Sequence, residues 1–139
     1  TNTIRNAVYA LGETLHRKNY KDHSYTLSLA LSGDEHDLPL IMTKQILEIN
    51  GIPVINCGGN TPAKSIKRLL NKFQPDKIIV SLTYCEDKNL ANQQLDDLVK
   101  ITSKNHAKIY MGGAGIDYII GQHLKNVQLL HSMSDLAQI

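Results

Sequence analysis

Apolar residues follow two different spacings along this chain, and the two spacings alternate. Short β-branched runs, with apolar residues at every second position or nearly continuous, predict strands. Five such runs occur, at residues 25–32, 52–57, 77–83, 107–113 and 127–131. Between them, apolar residues recur at intervals of three and four, which predicts helices. These helical stretches are residues 38–50, 61–73, 89–105 and 117–124.

The alternation of strands and helices indicates an α/β fold. The order favours a doubly wound five-stranded parallel sheet with helices on both faces. Thr61 and Pro62 predict the N-cap and the first residue of the second helix. In such sheets a ligand binds at the carboxyl ends of the strands, where the strand order reverses. The candidate site therefore lies in the turns at residues 32–38, 83–88 and 112–116.

A helix is also predicted ahead of the sheet. Ile4, Val8, Leu11 and Leu15 recur at helical spacing, which predicts an amphipathic helix over residues 2–20. We therefore expect two parts, an N-terminal helix within residues 1–24 and a domain at residues 25–139. The helix could be the remnant of a helical cap, a linker, a dimerisation helix or a helix packed on the sheet domain. Because the chain begins with Thr rather than Met, we expect a piece of a longer protein.

Composition and charge exclude several classes of function. Lys and Arg number 15 against 13 Asp and Glu, a net charge of +2 that gives no general case for nucleic-acid binding. The basic run Lys64, Lys67, Arg68 and Lys72 is interpreted as a solvated helix face, and a nucleic-acid or anionic-lipid contact is the alternative. No apolar run approaches the roughly 20 residues of a membrane span. With no secretion signal and no C-x-x-C pair, we expect a cytoplasmic protein with reduced thiols and no membrane partner.

The turn after the first strand combines a histidine with three carboxylates. His36 is surrounded by Asp34, Glu35 and Asp37, and the turn lacks the glycine patterns that bind phosphates. A carboxylate that accepts the proton of one ring nitrogen makes the other nitrogen a better metal ligand, and Asp34 is the candidate for that role. The alternative is a solvated acidic loop that caps the next helix.

Three short elements resemble the motifs of cobalamin-binding domains. Residues 34–39 resemble the D-x-H-x-x-G motif, residues 81–83 the S-x-L or S-x-T element, and Gly112-Gly113 the double glycine. They occur in the family's order and after the matching strands, so the resemblance covers roughly residues 25–135. The "GDEHDL" turn and the "NTP" helix start at 60–62 are most similar to the C-terminal sensor region of MerR-type light- and cobalamin-responsive transcription regulators.

The resemblance implies a flavodoxin-like cobalamin-binding fold and a role for each motif. His36 would replace the dimethylbenzimidazole base as the lower axial ligand of cobalt, and Asp34 would bind its far nitrogen. Ser81 would donate a hydrogen bond to the displaced base, and the glycines would let the backbone pass close to the nucleotide tail. The slot for that tail would be lined by Ser81, Thr83, Gly112 and Gly113.

One position departs from the family pattern. Pro39 stands where the motif has glycine. Glycine lets the helix start approach the corrin closely, whereas proline adds a ring and removes a backbone donor. Proline is tolerated in the first turn of a helix, so we expect the fold to be kept and cobalamin affinity to be lowered.

The resemblance implies a sensor rather than an enzyme, and no catalytic residue is assigned. We expect a homo-oligomeric, ligand-sensing domain of a MerR-like regulator that contacts DNA through a domain outside this chain. One alternative is a small cobalamin-carrying subunit of a mutase or methyltransferase. Another, favoured by Pro39, is a degenerate domain that binds heme, another tetrapyrrole or only protein partners.

Overall fold

Five parallel strands form a single sheet. The computed structural model describes residues 24–139. The strands are β1 Thr26–Leu31, β2 Val54–Thr61, β3 Lys77–Ser81, β4 Lys108–Gly112 and β5 Val127–Leu130. Their spatial order is β2-β1-β3-β4-β5, and each neighbouring pair is parallel. β2 lies on one side of β1, whereas β3, β4 and β5 follow one another on the other side. The strand order therefore reverses between β1 and β3. This confirms the predicted α/β fold, with the flavodoxin-like strand order.

Helices cover both faces of the sheet. They are α1 Leu38–Ile49, α2 Lys67–Phe73 and α3 Lys88–Thr102. On β3, Ile78 and Val80 pack in a cluster with Leu98 of α3, whereas Ile79 packs with Leu47 of α1. Because side chains alternate across a strand, α1 lies on one face and α3 on the other. The double-sided burial explains why the predicted central run is nearly continuously apolar.

The start predicted for the second helix is wrong. β2 continues through Thr61, which pairs with Leu31. The Thr61 hydroxyl donates to the carbonyls of Cys57 (3.2 Å) and Gly58 (2.9 Å), so it does not cap a helix. Pro62 is extended, and a 3-10 turn at Ala63–Ile66 precedes α2. The hydroxyl prefers the bent end of its own strand, a local bond that competes with capping.

The helix predicted at residues 117–124 is also wrong. Two 3-10 turns, Ala114–Tyr118 and Gly121–Leu124, replace it. The buried side chain of Asn92 in α3 accepts from the Ile120 amide (2.9 Å) and donates to the Tyr118 carbonyl (3.3 Å). These bonds hold the segment between the two turns in an extended conformation, and its backbone groups are satisfied without a helix.

Two expectations concern the N-terminal part of the chain. The predicted amphipathic helix at residues 2–20 falls outside the described residues, so the division at residue 24 stays a prediction. Within residues 24–139, no helix has the length and apolar character needed to cross a bilayer.

Candidate functional site

A cavity of about 560 Å³ opens at the carboxyl ends of β3, β4 and β5. It lies on the face covered by α1, and Pro39 and Thr43 of that helix form part of its wall. Ser81 and Gly112 contribute from the strand ends, and Leu136 from the C-terminal 3-10 turn. Sites for small molecules usually have volumes of about 300–1,000 Å³. The cavity therefore has the size and the position expected of a ligand site in this fold.

The turn that follows β1, residues 32–37, holds a buried carboxylate against an exposed imidazole. Oδ1 of Asp34 lies 2.7 Å from Nδ1 of His36 and also accepts from the His36 amide at 3.2 Å. The Asp34 side chain is 1% exposed and that of His36 is 52% exposed. Because a carboxylate only accepts, Nδ1 carries the proton of this bond. In the neutral ring, Nε2 then keeps its lone pair free for a metal.

The same carboxylate joins the two strands at which the sheet order reverses. Oδ2 of Asp34, just after β1, accepts from the backbone amide of Thr83, just after β3, at 2.7 Å. With both oxygens bonded, the carboxylate cannot rotate without losing a hydrogen bond. Thr83 thus lies beside Asp34 and is not among the residues that line the cavity. The structure brings Asp34, His36 and Thr83 together, and it places Ser81 in the cavity instead.

Ser81 presents a free hydroxyl to the cavity. It is the last residue of β3, is 6% exposed, and pairs with Ala30 and Gly112 on the neighbouring strands. Its hydroxyl makes no hydrogen bond to any other described residue. A polar group of this kind in a sheltered cavity gains a hydrogen bond from a ligand that reaches it.

The double glycine lets the β4 turn pack against the protein itself. Gly113 has φ +119°, and a Cβ there would overlap the carbonyl oxygen of Leu82. At Gly112, a Cβ would lie 3.2 Å from the carbonyl oxygen of Leu130. Gly115, which the motif analysis did not single out, donates its amide to Leu82 at 2.8 Å, and a Cβ there would lie 2.8 Å from the Leu82 Cγ. The internal packing alone requires glycine at 113 and 115.

The end of β2 holds the His36 turn in place, a role that the sequence analysis missed. Asn60, with φ +51°, accepts from the Gly33 amide at 2.8 Å and donates its own amide to the Asp34 carbonyl at 2.7 Å. The Gly59 amide donates to Oδ1 of Asp37 at 3.0 Å, and a Cβ at Gly59 would lie 2.8 Å from that oxygen. The signal in the sequence was the Gly-Gly-Asn run at 58–60, because glycine and asparagine favour such bends.

Pro39 fits the helix and forms part of the cavity wall. It lies in the first turn of α1, where a missing amide donor costs nothing. Its carbonyl accepts from the Thr43 hydroxyl at 2.8 Å. The fold therefore accommodates the proline, as expected, and its ring occupies space at the edge of the cavity that a glycine would leave open.

The two thiols have properties that disfavour metal or heme ligation. Burial raises the pKa of Cys57 to about 11. Burial and the nearby Asp87 carboxylate raise the pKa of Cys85, whose Sγ lies 2.9 Å from the Asp87 carbonyl. The thiolate is the form that binds metals. Both cysteines are therefore protonated at neutral pH, which disfavours either thiol as a ligand in the heme-binding alternative.

A second Asp–His pair lies away from the cavity. Nδ1 of His123 is 2.6 Å from Oδ1 of Asp96, and the His123 side chain is 16% exposed. Neither residue lines the cavity. The pair has the same Asp–His contact but the reverse burial, since the Asp96 side chain is 43% exposed. It serves as a control for the loss of such a contact outside the cavity.

No family model and no curated protein matches this chain. Several solved structures share its fold. A cobalamin-binding protein from Desulfitobacterium hafniense DCB-2 has a TM-score of 0.68 and 18% identity, over 84% of this chain and 57% of that one. The monomethylamine corrinoid protein of Methanosarcina barkeri has a TM-score of 0.72 and 16% identity, over 97% and 64% of the two chains.

A third neighbour is the methanol:cobalamin methyltransferase complex of Methanosarcina barkeri. Its TM-score is 0.70 at 14% identity, over 91% of this chain and 48% of that one. The present chain thus spans about half to two-thirds of the length of these structures. The narrower resemblance to MerR-type regulators stays a prediction. The broader one is confirmed at the level of the fold, because this chain has the flavodoxin-like architecture of these cobalamin- and corrinoid-binding proteins.

Proposed function

We propose that this chain binds a cobalamin, with Nε2 of His36 as the lower axial ligand of cobalt. The observation that carries this proposal is the 2.7 Å contact between Asp34 and His36, on the same edge of the sheet as the 560 Å³ cavity. One imidazole would be enough to hold the cofactor through its metal, because the cofactor would bring the metal's other ligands with it. A bound cobalamin would supply the metal and alkyl chemistry of its cobalt.

The residues of the chain would orient the ligand and shelter part of it. Asp34 fixes the tautomer of His36 and raises the basicity of Nε2, as carboxylates behind metal-binding histidines do. The amides of Thr83 and His36 fix Asp34 in turn. The displaced nucleotide tail would enter the cavity, where the free Ser81 hydroxyl would bond to its base. Gly112 and Gly113 would form the wall along which that tail runs.

For the biological role we propose a sensor domain of a MerR-like regulator, which is homo-oligomeric and acts on DNA through a domain outside this chain. The "GDEHDL" turn and the "NTP" start at 60–62 support this role. A corrinoid-carrying methyltransferase subunit is the second candidate, favoured by the corrinoid and methyltransferase neighbours. We expect cobalamin to change the oligomeric state in light-scattering measurements. Binding without any change of assembly would favour the methyltransferase subunit.

Replacing Pro39 with glycine should tighten cobalamin binding. The proline ring narrows the cavity edge, and steric misfits cost about 1–3 kcal/mol, so Pro39→Gly should raise affinity by about one to two orders of magnitude. The free energy of unfolding should fall by about 0.4–1 kcal/mol, because glycine gives the unfolded chain more freedom. Absorbance titration in the dark and denaturant unfolding measure the two effects.

Pro62→Gly is the matched control for this variant. Pro62 lies outside the cavity and precedes a 3-10 turn, so its replacement should lower stability by a similar amount and leave affinity unchanged. Tight binding by the parent with no gain in Pro39→Gly would show that the corrin accommodates the proline. If the parent and Pro39→Gly both fold but neither binds cobalamin, the proposed function is contradicted.

A further inference from the structure

A second cavity, of about 390 Å³, lies between α2 and α3 on the face of the sheet opposite α1. Three lysines from two helical regions converge on it: Lys67 from α2, Lys100 from α3 and Lys104 just beyond α3. We call this cavity the lysine groove. Because α3 runs from the carboxyl edge of the sheet to the amino edge, the end that carries Lys100 is far from the His36 turn. The two cavities share no described lining residue.

The groove concentrates positive charge without compensation from its own walls. None of its described lining residues is acidic, and none of the three lysines forms an ion pair with another described residue. The carboxylates closest in sequence on α3 are Asp96 and Asp97, one turn before Lys100, and Asp96 is bonded to His123. All three lysines are exposed, and a bound anion that carries more than one negative charge could contact more than one of their ammonium groups. Of the basic run at residues 64–72, only Lys67 lines the groove.

The remaining walls favour a particular kind of anion. Asn71 and Asn105 add side-chain amides that can donate hydrogen bonds, and Leu70 and Ile101 provide apolar surface. Lysine is a compact point charge that suits phosphate groups. Protein–protein interfaces are depleted in lysine and rely on aromatic and arginine anchors, which the described lining lacks. The volume lies within the range of about 300–1,000 Å³ for small-molecule sites.

We propose that the lysine groove binds a small phosphorylated molecule with at least two negative charges. Three ammonium groups match more than one charge on the ligand, and the amides and apolar surface leave room for its organic part. This site is separate from the cobalamin site and does not depend on it. Nucleic acid fits less well, because the described walls offer no aromatic ring on which a base could stack.

The test is an NMR titration of the full 139-residue chain with inorganic pyrophosphate at constant ionic strength and without cobalamin. We expect saturable shifts of the backbone amides of Lys67, Asn71 and Lys100. The double variant Lys67→Gln/Lys100→Gln should bind about tenfold more weakly, since each contact with an exposed charge contributes about a factor of three. The control Lys64→Gln/Lys72→Gln removes the same charge outside the groove and should bind within about twofold of the parent.

Three results would overturn the proposal. Equal weakening in the control would show a diffuse response to charge rather than a site. Citrate that binds as tightly as pyrophosphate would show a general anion site. Polyglutamate that shifts the same amides at lower concentration would indicate an acidic protein partner instead. None of these measurements involves cobalamin, so failure here leaves the test of the His36 site untouched.

Discussion

Cobalamin mixed with this protein should show the absorbance change of base replacement by histidine, and His36→Ala should abolish it. Nε2 of His36 is the ring atom that the Asp34 contact leaves free, and alanine removes it entirely. Asp34→Asn should keep the change but weaken affinity about 10–100-fold, the usual effect of losing the partner behind a metal-binding histidine. It should also lower stability, because the asparagine NH2 must face a second donor, either the Thr83 amide or the His36 ring. Absorbance titration gives both results, and circular dichroism checks the fold of each variant.

The second Asp–His pair supplies the controls. His123→Ala and Asp96→Asn remove the same groups from a pair with a 2.6 Å contact outside the cavity, so cobalamin spectra and affinity should match those of the parent. The same spectrum in His36→Ala as in the parent would exclude His36 as the ligand. Loss of cobalamin binding in His123→Ala would show that binding depends on a histidine outside the proposed site.

Gly113→Ala should destabilise the fold severely, lowering the free energy of unfolding by about 2–6 kcal/mol. A Cβ would overlap the Leu82 carbonyl oxygen, and the backbone has φ +119° and ψ 166°, a region that only glycine adopts readily. Backbone strain of about 1–3 kcal/mol and overpacking of about 1–3 kcal/mol act together here. Total stabilities of domains are about 5–15 kcal/mol, so the variant should be marginally folded. Urea unfolding of parent and variant measures the difference.

Gly58→Ala separates the two causes. Gly58 has φ +89°, yet a Cβ there would meet nothing within 4 Å. Its replacement by alanine should lower the free energy of unfolding only through backbone strain, by about 1–2 kcal/mol. If the two variants lost equal stability, the contact with Leu82 would not be what requires glycine at 113. In that case the predicted approach of a ligand would become the better explanation of the double glycine.

The spacing of apolar residues was sufficient to predict the strands of the sheet, because a buried strand is itself rich in apolar residues. The nearly continuous run in β3 corresponds to burial on both faces by α1 and α3. The contact of Asp34 with His36 was also predictable, because it is local and needs only a two-residue turn. The bond from Asp34 to the Thr83 amide was not predictable, since it joins positions 49 apart in sequence. It depends on how β1 and β3 are placed side by side.

The two wrong helix predictions have the same kind of cause. Residues 117–124 have the apolar spacing of a helix, but the partner that decides their conformation is Asn92, in a different helix. Thr61 and Pro62 form a good local start signal, but pairing with Leu31 extends β2 past it. In each case a contact that is distant in sequence outweighs a local preference.

Residues 117–124 form short 3-10 turns instead of the predicted helix, and this affects how the cavity could admit a bulky ligand. Asp117 of this segment and the preceding Ile116 line the cavity. Two side chains of α3, Asn92 and Asp96, hold the segment through hydrogen bonds to Tyr118, Ile120 and His123. Short 3-10 turns with few internal bonds open at a lower free-energy cost than a sheet does. When this part of the wall opens locally, we therefore expect the bonds of Asn92 and Asp96 to be lost before those of the sheet.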